Sequence, residues 1–115
     1  MPRVASGKRY AQAAFELARE KGELENWQPG LREIADISKE EELMALMENP
    51  KLPFAAKRTL LEERLGKVNP LVLNLACLLL SRGMLRNAES ISEEYNKLLD
   101  NYHGIEHAEI VTALP

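Results

Sequence analysis

The sequence predicts an all-α protein, a six-helix bundle, and three observations carry that expectation. Apolar residues recur at spacings of three and four through most of the chain. Gly22, Gly66, Gly83 and Gly104 stand where those patterns end, as helix stops do. Pro53 and Pro70 stand where new ones begin, suited to a first helical turn.

The first helix is expected to start at a Ser6 cap and to stop at Gly22, after Arg19 and Lys21, whose charges suit a helix C-terminus. It is apolar around too much of its circumference. Wound at ~100° per residue, Ala13, Leu17, Tyr10, Ala14, Ala18, Ala11 and Phe15 fill an arc of roughly 200°. A surface helix covering one core needs an arc somewhat above ~100°. The excess implies two contacts, one with the helix's own core and one with another molecule. Ala13 and Ala14 are small enough to admit a partner helix closely.

The second helix repeats Leu24, Trp27, Leu31, Ile34 and Ala35, with Pro29 and Gly30 predicting a kink or a late start. Ser38 to Glu41 reads as a capping box before Leu43, Met44, Leu46 and Met47, and Asn49-Pro50 ends that short third helix. The fourth carries Phe54, Leu60, Leu61 and Leu65 and ends at Gly66. Asn69-Pro70 caps the fifth, Leu71 to Arg82, which is apolar at nine of its first ten positions, Asn74 excepted. Such a helix is either the central core element or a core element with a partner-facing side. The sixth places Ala88, Ile91, Tyr95, Leu98 and Tyr102 in a single stripe and is expected to end at Gly104. Ala108, Ile110, Thr112 and Leu114 then alternate with other residues, as in a β-strand. The expected organisation is a bundle over 1–104 and a linker or strand over 105–115, leading into a C-terminal domain that is absent here.

Composition narrows the function. The chain has 115 residues, 15 basic and 18 acidic, for a net charge of −3. That argues against broad nucleic-acid binding, which usually needs a basic surface. Cys77 is the only cysteine and lies in an apolar run, so it reads as a buried structural thiol. The apolar run Leu71 to Leu80 is too short to span a bilayer, which takes ~20 residues. A helix beginning near Ser6 leaves no room for a signal peptide within the chain.

Catalytic constellations are not evident. His103 to His107 matches H-x-x-E-H, which binds zinc only on a continuous helix, and Gly104 sits inside it at the expected helix end. Ser6-Gly7-Lys8 lacks the upstream glycine of a phosphate loop. Neither a catalytic residue, a metal nor a cofactor is expected. Trp27 reads either as core or as the edge of a partner groove, where aromatics are enriched. Asn74 either faces solvent or hydrogen-bonds a partner's backbone.

Taken in order, Arg9-Tyr10-Ala11-x-Ala13-x-Phe15-x-Leu17-Ala18, Trp27-Gln28, Glu48-Asn49-Pro50-x-Leu52-Pro53, Lys57-Arg58-x-Leu60-Leu61, Leu73-Asn74-Leu75 and Arg82-Gly83-Met84-Leu85 form a set. This set resembles the delta subunit of the bacterial F-type ATP synthase, homologous to the mitochondrial oligomycin-sensitivity protein, over nearly the whole chain. The resemblance implies an N-terminal six-helix bundle and a non-catalytic stator subunit of the peripheral stalk. It implies a partner, the N-terminal helix of an alpha subunit, held between helices one and five. Carried onto this sequence, Tyr10, Ala13, Ala14 and Leu17 would line that groove from helix one. Leu71, Asn74, Leu75, Leu78 and Arg82 would line it from helix five, with Trp27 near its edge. The b subunits would join through the absent C-terminal domain. The implied location is peripheral, on the cytoplasmic side of the bacterial cell membrane, with no insertion. The alternative is an unrelated helical adaptor that grips another amphipathic helix.

Overall fold

The computed structural model describes the backbone of residues 2–113 and the side chains of residues 7–104. Among the described residues it is all-helical: α1 (Pro2–Lys21), α2 (Leu24–Ile37), α3 (Glu41–Met47), α4 (Phe54–Arg64), α5 (Pro70–Ser81) and α6 (Ala88–Ala113), with a 3-10 turn at Leu85–Asn87. Gly22 and Gly83 end α1 and α5 at φ 68°, the left-handed conformation in which glycine costs least. Asn69 caps α5 as the sequence implies: its side chain accepts from the Leu71 N–H at 2.8 Å, with Pro70 in the first turn.

The core is built on α6. Ala88, Ile91, Tyr95 and Leu99 are fully buried along it. Phe15 of α1 meets the rings of Tyr95 and Tyr102 edge-on, with centroids 5.8 and 5.9 Å apart. The Tyr95 hydroxyl donates to the Leu24 carbonyl at 2.6 Å, which ties the start of α2 to α6. Gln28 donates to Asn96 at 2.9 Å along the same seam. Trp27, Leu31 and Ile34 of α2, Met44 and Met47 of α3, Leu61 and Leu65 of α4, and Val72, Ala76 and Leu79 of α5 complete the interior.

Helix α2 packs on α5 at very close range. A Cβ on Gly30 would stand 2.9 Å from Cγ1 of Val72, which is itself fully buried. That contact gives Gly30 a packing reason inside a helix. Pro29 is tolerated because it sits on the exposed face beside exposed Glu25, whose carbonyl loses its intrahelical donor where water can replace it.

Several expectations are corrected. Helix α1 starts at Pro2 rather than at Ser6, because nothing in residues 2–5 breaks a helix. Helix α2 runs through Pro29 without a late start. Ser38 does not open a capping box: its hydroxyl donates to the Ala35 carbonyl at 2.6 Å, finishing α2, and Glu40 precedes α3 with no side-chain cap. The deep position on α6 is Leu99, while Leu98 is half-buried. The strand expected after Gly104 is not formed up to Ala113, since α6 continues to that residue. Gly104 keeps a negative φ, and a helix satisfies its own hydrogen bonds where a lone strand cannot. Leu114 and the side chains of Ser6, Glu106 and His107 lie outside the described residues.

Two exposed ion-pair forks stitch the short elements together. Arg64 donates both guanidinium branches to Glu40, joining α4 to the start of α3. Arg86 bonds Glu48 at 2.6 and 3.0 Å. Each guanidinium holds its carboxylate below the usual pKa, chiefly through the hydrogen bond. Both pairs are well solvated, so they set geometry more than stability.

Two consequences are measurable. Gly30→Ala should lower stability by about 1–3 kcal/mol in denaturant titration, although alanine is the better helix former. In a Val72→Ala background the same change should cost nothing. Burial pushes the Tyr95 phenol up to about 12. Above pH 10 the unfolded chain releases that proton while the native chain keeps it. Stability should therefore be intact below pH 10 and fall between about 10 and 12, by roughly 2–3 kcal/mol. Tyr95→Phe should cost about 1 kcal/mol at neutral pH, for the lost hydrogen bond. Its deficit against the wild type should shrink and reverse across that alkaline window.

Candidate functional site: a groove between helices α1 and α5

The wide apolar arc of α1 divides into two faces. Ala11, Ala14, Phe15 and Ala18 are buried, and Phe15 takes that face against α6. Ala13 and Leu17 remain exposed, with Tyr10 half-buried. Helix α5 divides in the same way: Val72, Ala76, Cys77 and Leu79 turn inward, while Leu71 and Leu75 are half-buried and Asn74 and Leu78 are exposed.

The two outward faces meet across one groove of about 290 Å³. Tyr10, Ala13, Ala14 and Leu17 line it from α1, and Leu71, Asn74, Leu75 and Leu78 from α5. Trp27 of α2 closes it from below. The tryptophan is 1% exposed, so it serves the core and the groove floor with different parts of one ring. Leu17 at 36% and Leu78 at 39% exposure stand at the rims. Leucines so exposed on facing walls form a patch that water covers poorly.

Nine of the ten residues expected at the site thus share this groove. Arg82 is the exception. It is exposed and caps the C-terminus of α5, one turn beyond Leu78, whose carbonyl accepts its N–H at 3.1 Å. It does not line the groove. The lining carries no ionisable acid or base apart from the Tyr10 phenol, and Asn74 is its one side-chain amide. Such a surface offers shape and apolar contact, with no nucleophile or general base.

The helices run antiparallel across the groove. Asn69, before α5, lies beside Glu23, after α1, and donates to its Oε1 at 3.0 Å. The same oxygen accepts from the Trp27 indole N–H at 3.3 Å. Asn69 also donates to Asn26 at 2.9 Å. The sequence reading caught Asn69 only as a cap and missed Glu23. A lone glutamate in a helix-to-helix turn carries no periodic signal.

His103 pairs with Glu25 at 3.3 Å on the surface. Among the described residues no group of His, Cys, Asp or Glu could hold a metal ion. Nor is any described helix long and apolar enough to cross a membrane.

Among the described residues, an all-helical bundle with an open apolar groove between two helices defines the class by fold alone. Comparison with known proteins makes the assignment specific. Residues 7–115 match the family model for the ATP synthase delta (OSCP) subunit. The chain is 36% identical over 107 residues to ATP synthase subunit delta of Dehalococcoides mccartyi, covering 93% of this chain and 59% of that protein. It is 34% identical over 108 residues to the Flavobacterium johnsoniae subunit, covering 93% and 61%. It is 29% identical over 116 residues to the Priestia megaterium subunit, covering 100% and 64%. The chain belongs to the ATP synthase delta (OSCP) subunit family. It spans about 60% of the length of these curated relatives.

Cys77 is on the inward side of α5, 7% exposed, within electrostatic reach of Arg58 and Glu62 of α4. Burial pushes its thiol pKa up, with Arg58 pulling the other way. The native thiol should therefore react with an aromatic disulfide reagent at pH 8 at least about tenfold more slowly than the unfolded chain. Equal rates under native and denaturing conditions would show that the inward side of α5 at Cys77 is open to solvent.

Proposed function

We propose that this chain is the helix-docking part of a non-catalytic stator subunit. In this reading the groove between α1 and α5 holds the N-terminal helix of an ATP synthase alpha subunit. The observation that carries it is the groove itself, in a chain of the delta family: two apolar walls rimmed by exposed leucines, with a tryptophan floor. From Leu71 to Leu78 the wall runs roughly 10 Å, about two helical turns. An amphipathic helix meets such a wall with anchors at i, i+3, i+4 and i+7.

The role is mechanical. A rotary synthase generates torque, and its catalytic head would turn with the rotor unless something held it. A helix seated in an apolar groove is one joint of that restraint. It needs no chemistry and little charge pairing. Apolar burial is also less sensitive to salt than surface ion pairs are. The b subunits of the peripheral stalk would join through parts of the subunit beyond these residues. The location would be peripheral, on the cytoplasmic side of the bacterial membrane. The bundle over 1–104 would be the N-terminal domain, with α6 leading out of it.

The test is titration with a synthetic peptide of the alpha subunit's N-terminal segment. Leu78→Glu should stay folded, because its rim position keeps the carboxylate wet in the free chain, and should weaken binding by about thirtyfold or more. Leu99→Glu should unfold the bundle, since Leu99 is 2% exposed. Full-strength binding by folded Leu78→Glu would move the site elsewhere.

A further inference from the structure

The groove has two walls that need a spacer, and the structure shows what holds them apart. Helices α1 and α5 are joined through α2 and the turn before it. At the Leu17–Leu71 end, one oxygen carries the connection. Oε1 of Glu23 accepts from the Trp27 indole at 3.3 Å and from Asn69 Nδ2 at 3.0 Å. It thereby joins the end of α1, the groove floor and the cap of α5. Every polar atom of the Asn69 side chain is engaged: Oδ1 caps Leu71 at 2.8 Å, and Nδ2 also reaches Asn26 at 2.9 Å. Two turns further along α2, the Gly30–Val72 contact leaves no slack for α5 to shift inward.

We propose that Glu23 and Asn69 form a polar latch that sets the groove's width, and so act as positioning residues for the docked helix. They need not touch that helix. A latch built before docking means that α5 is not ordered at the moment of binding, which conserves affinity. The proposal rests on the docking reading above, and the test separates the two.

The probe is a synthetic peptide of about the first twenty residues of the cognate alpha subunit. Its affinity is measured for the wild type, Glu23→Ala, Glu23→Gln and Asn69→Ser. Trp27 emission and thermal unfolding are recorded for each free chain. Glutamine keeps the oxygen acceptor, and serine keeps the helix cap but loses both amide N–H donors that reach Glu23 and Asn26. Glu23→Ala and Asn69→Ser should bind roughly fivefold to tenfold more weakly and shift Trp27 emission, while Glu23→Gln stays within about twofold of wild type. Should Glu23→Ala fail to fold, Asn69→Ser carries the test. Unchanged affinity and emission in the weakened pair would overturn the latch. So would a Glu23→Gln as weak as Glu23→Ala. If the wild type does not bind the peptide, the docking reading fails. Amide exchange over residues 71–74 then decides the latch: faster exchange in Glu23→Ala and Asn69→Ser alone supports it, and equal exchange in all four refutes it.

Discussion

The structure depends on one constraint, that α1 carries more apolar surface than its own domain can cover. Its Phe15 face is satisfied by the rings of α6. Its Ala13–Leu17 face is left beside α5, which has the same surplus at Leu75 and Leu78. The two surpluses are not closed against each other. Closing them would require α5 to move toward α1, and α2 stands between with a buried tryptophan at that level. The bundle therefore keeps an apolar face open at a cost in hydration, which the docked helix of the proposed function would recover.

Helix α2 is the element that makes the opening durable. It contacts α5 closely enough at Gly30 to exclude a methyl group, and it is tied to α6 through the Tyr95–Leu24 hydrogen bond. Around the groove's end, Glu23 and Asn69 use hydrogen bonds where apolar packing runs out. A groove held this way is prebuilt, so under the proposed function binding would order the guest helix more than the host. The lining holds no charged side chain, so for the proposed partner depth and spacing, rather than ion pairing, would be the means of selection.

Much of this was legible in the sequence, because helical periodicity reports faces directly. The arc of α1 was wide enough for a buried face and an outward one, and the nearly all-apolar α5 likewise has a core side and an exposed side. Gly22, Gly83 and Asn69-Pro70 marked ends that the backbone respects. Local signals without periodicity were less dependable. Ser38 has the residue type of an N-cap, but its hydroxyl turned back to the preceding helix. Gly104 looked like a stop, yet a glycine inside a helix costs only about 1 kcal/mol, and here α6 runs on through it. The alternation after it suggested a strand, but a strand needs a partner that a sequence pattern cannot supply. Arg82, placed at the groove by the family resemblance, stands at the helix end beyond Leu78 and outside the groove lining. Glu23 was silent because its role exists only when three separate elements meet.

The central claim is that the open face of α1 and α5 receives a helix. Amide and methyl chemical-shift mapping tests it most directly, with the alpha subunit's N-terminal peptide added to isotope-labelled chain. The account predicts shifts concentrated at Ala13, Leu17, Trp27, Leu75 and Leu78, with the Ile91 and Leu99 core unmoved. Shifts that cluster instead on the far side of α6, or at α3 and α4, would contradict it.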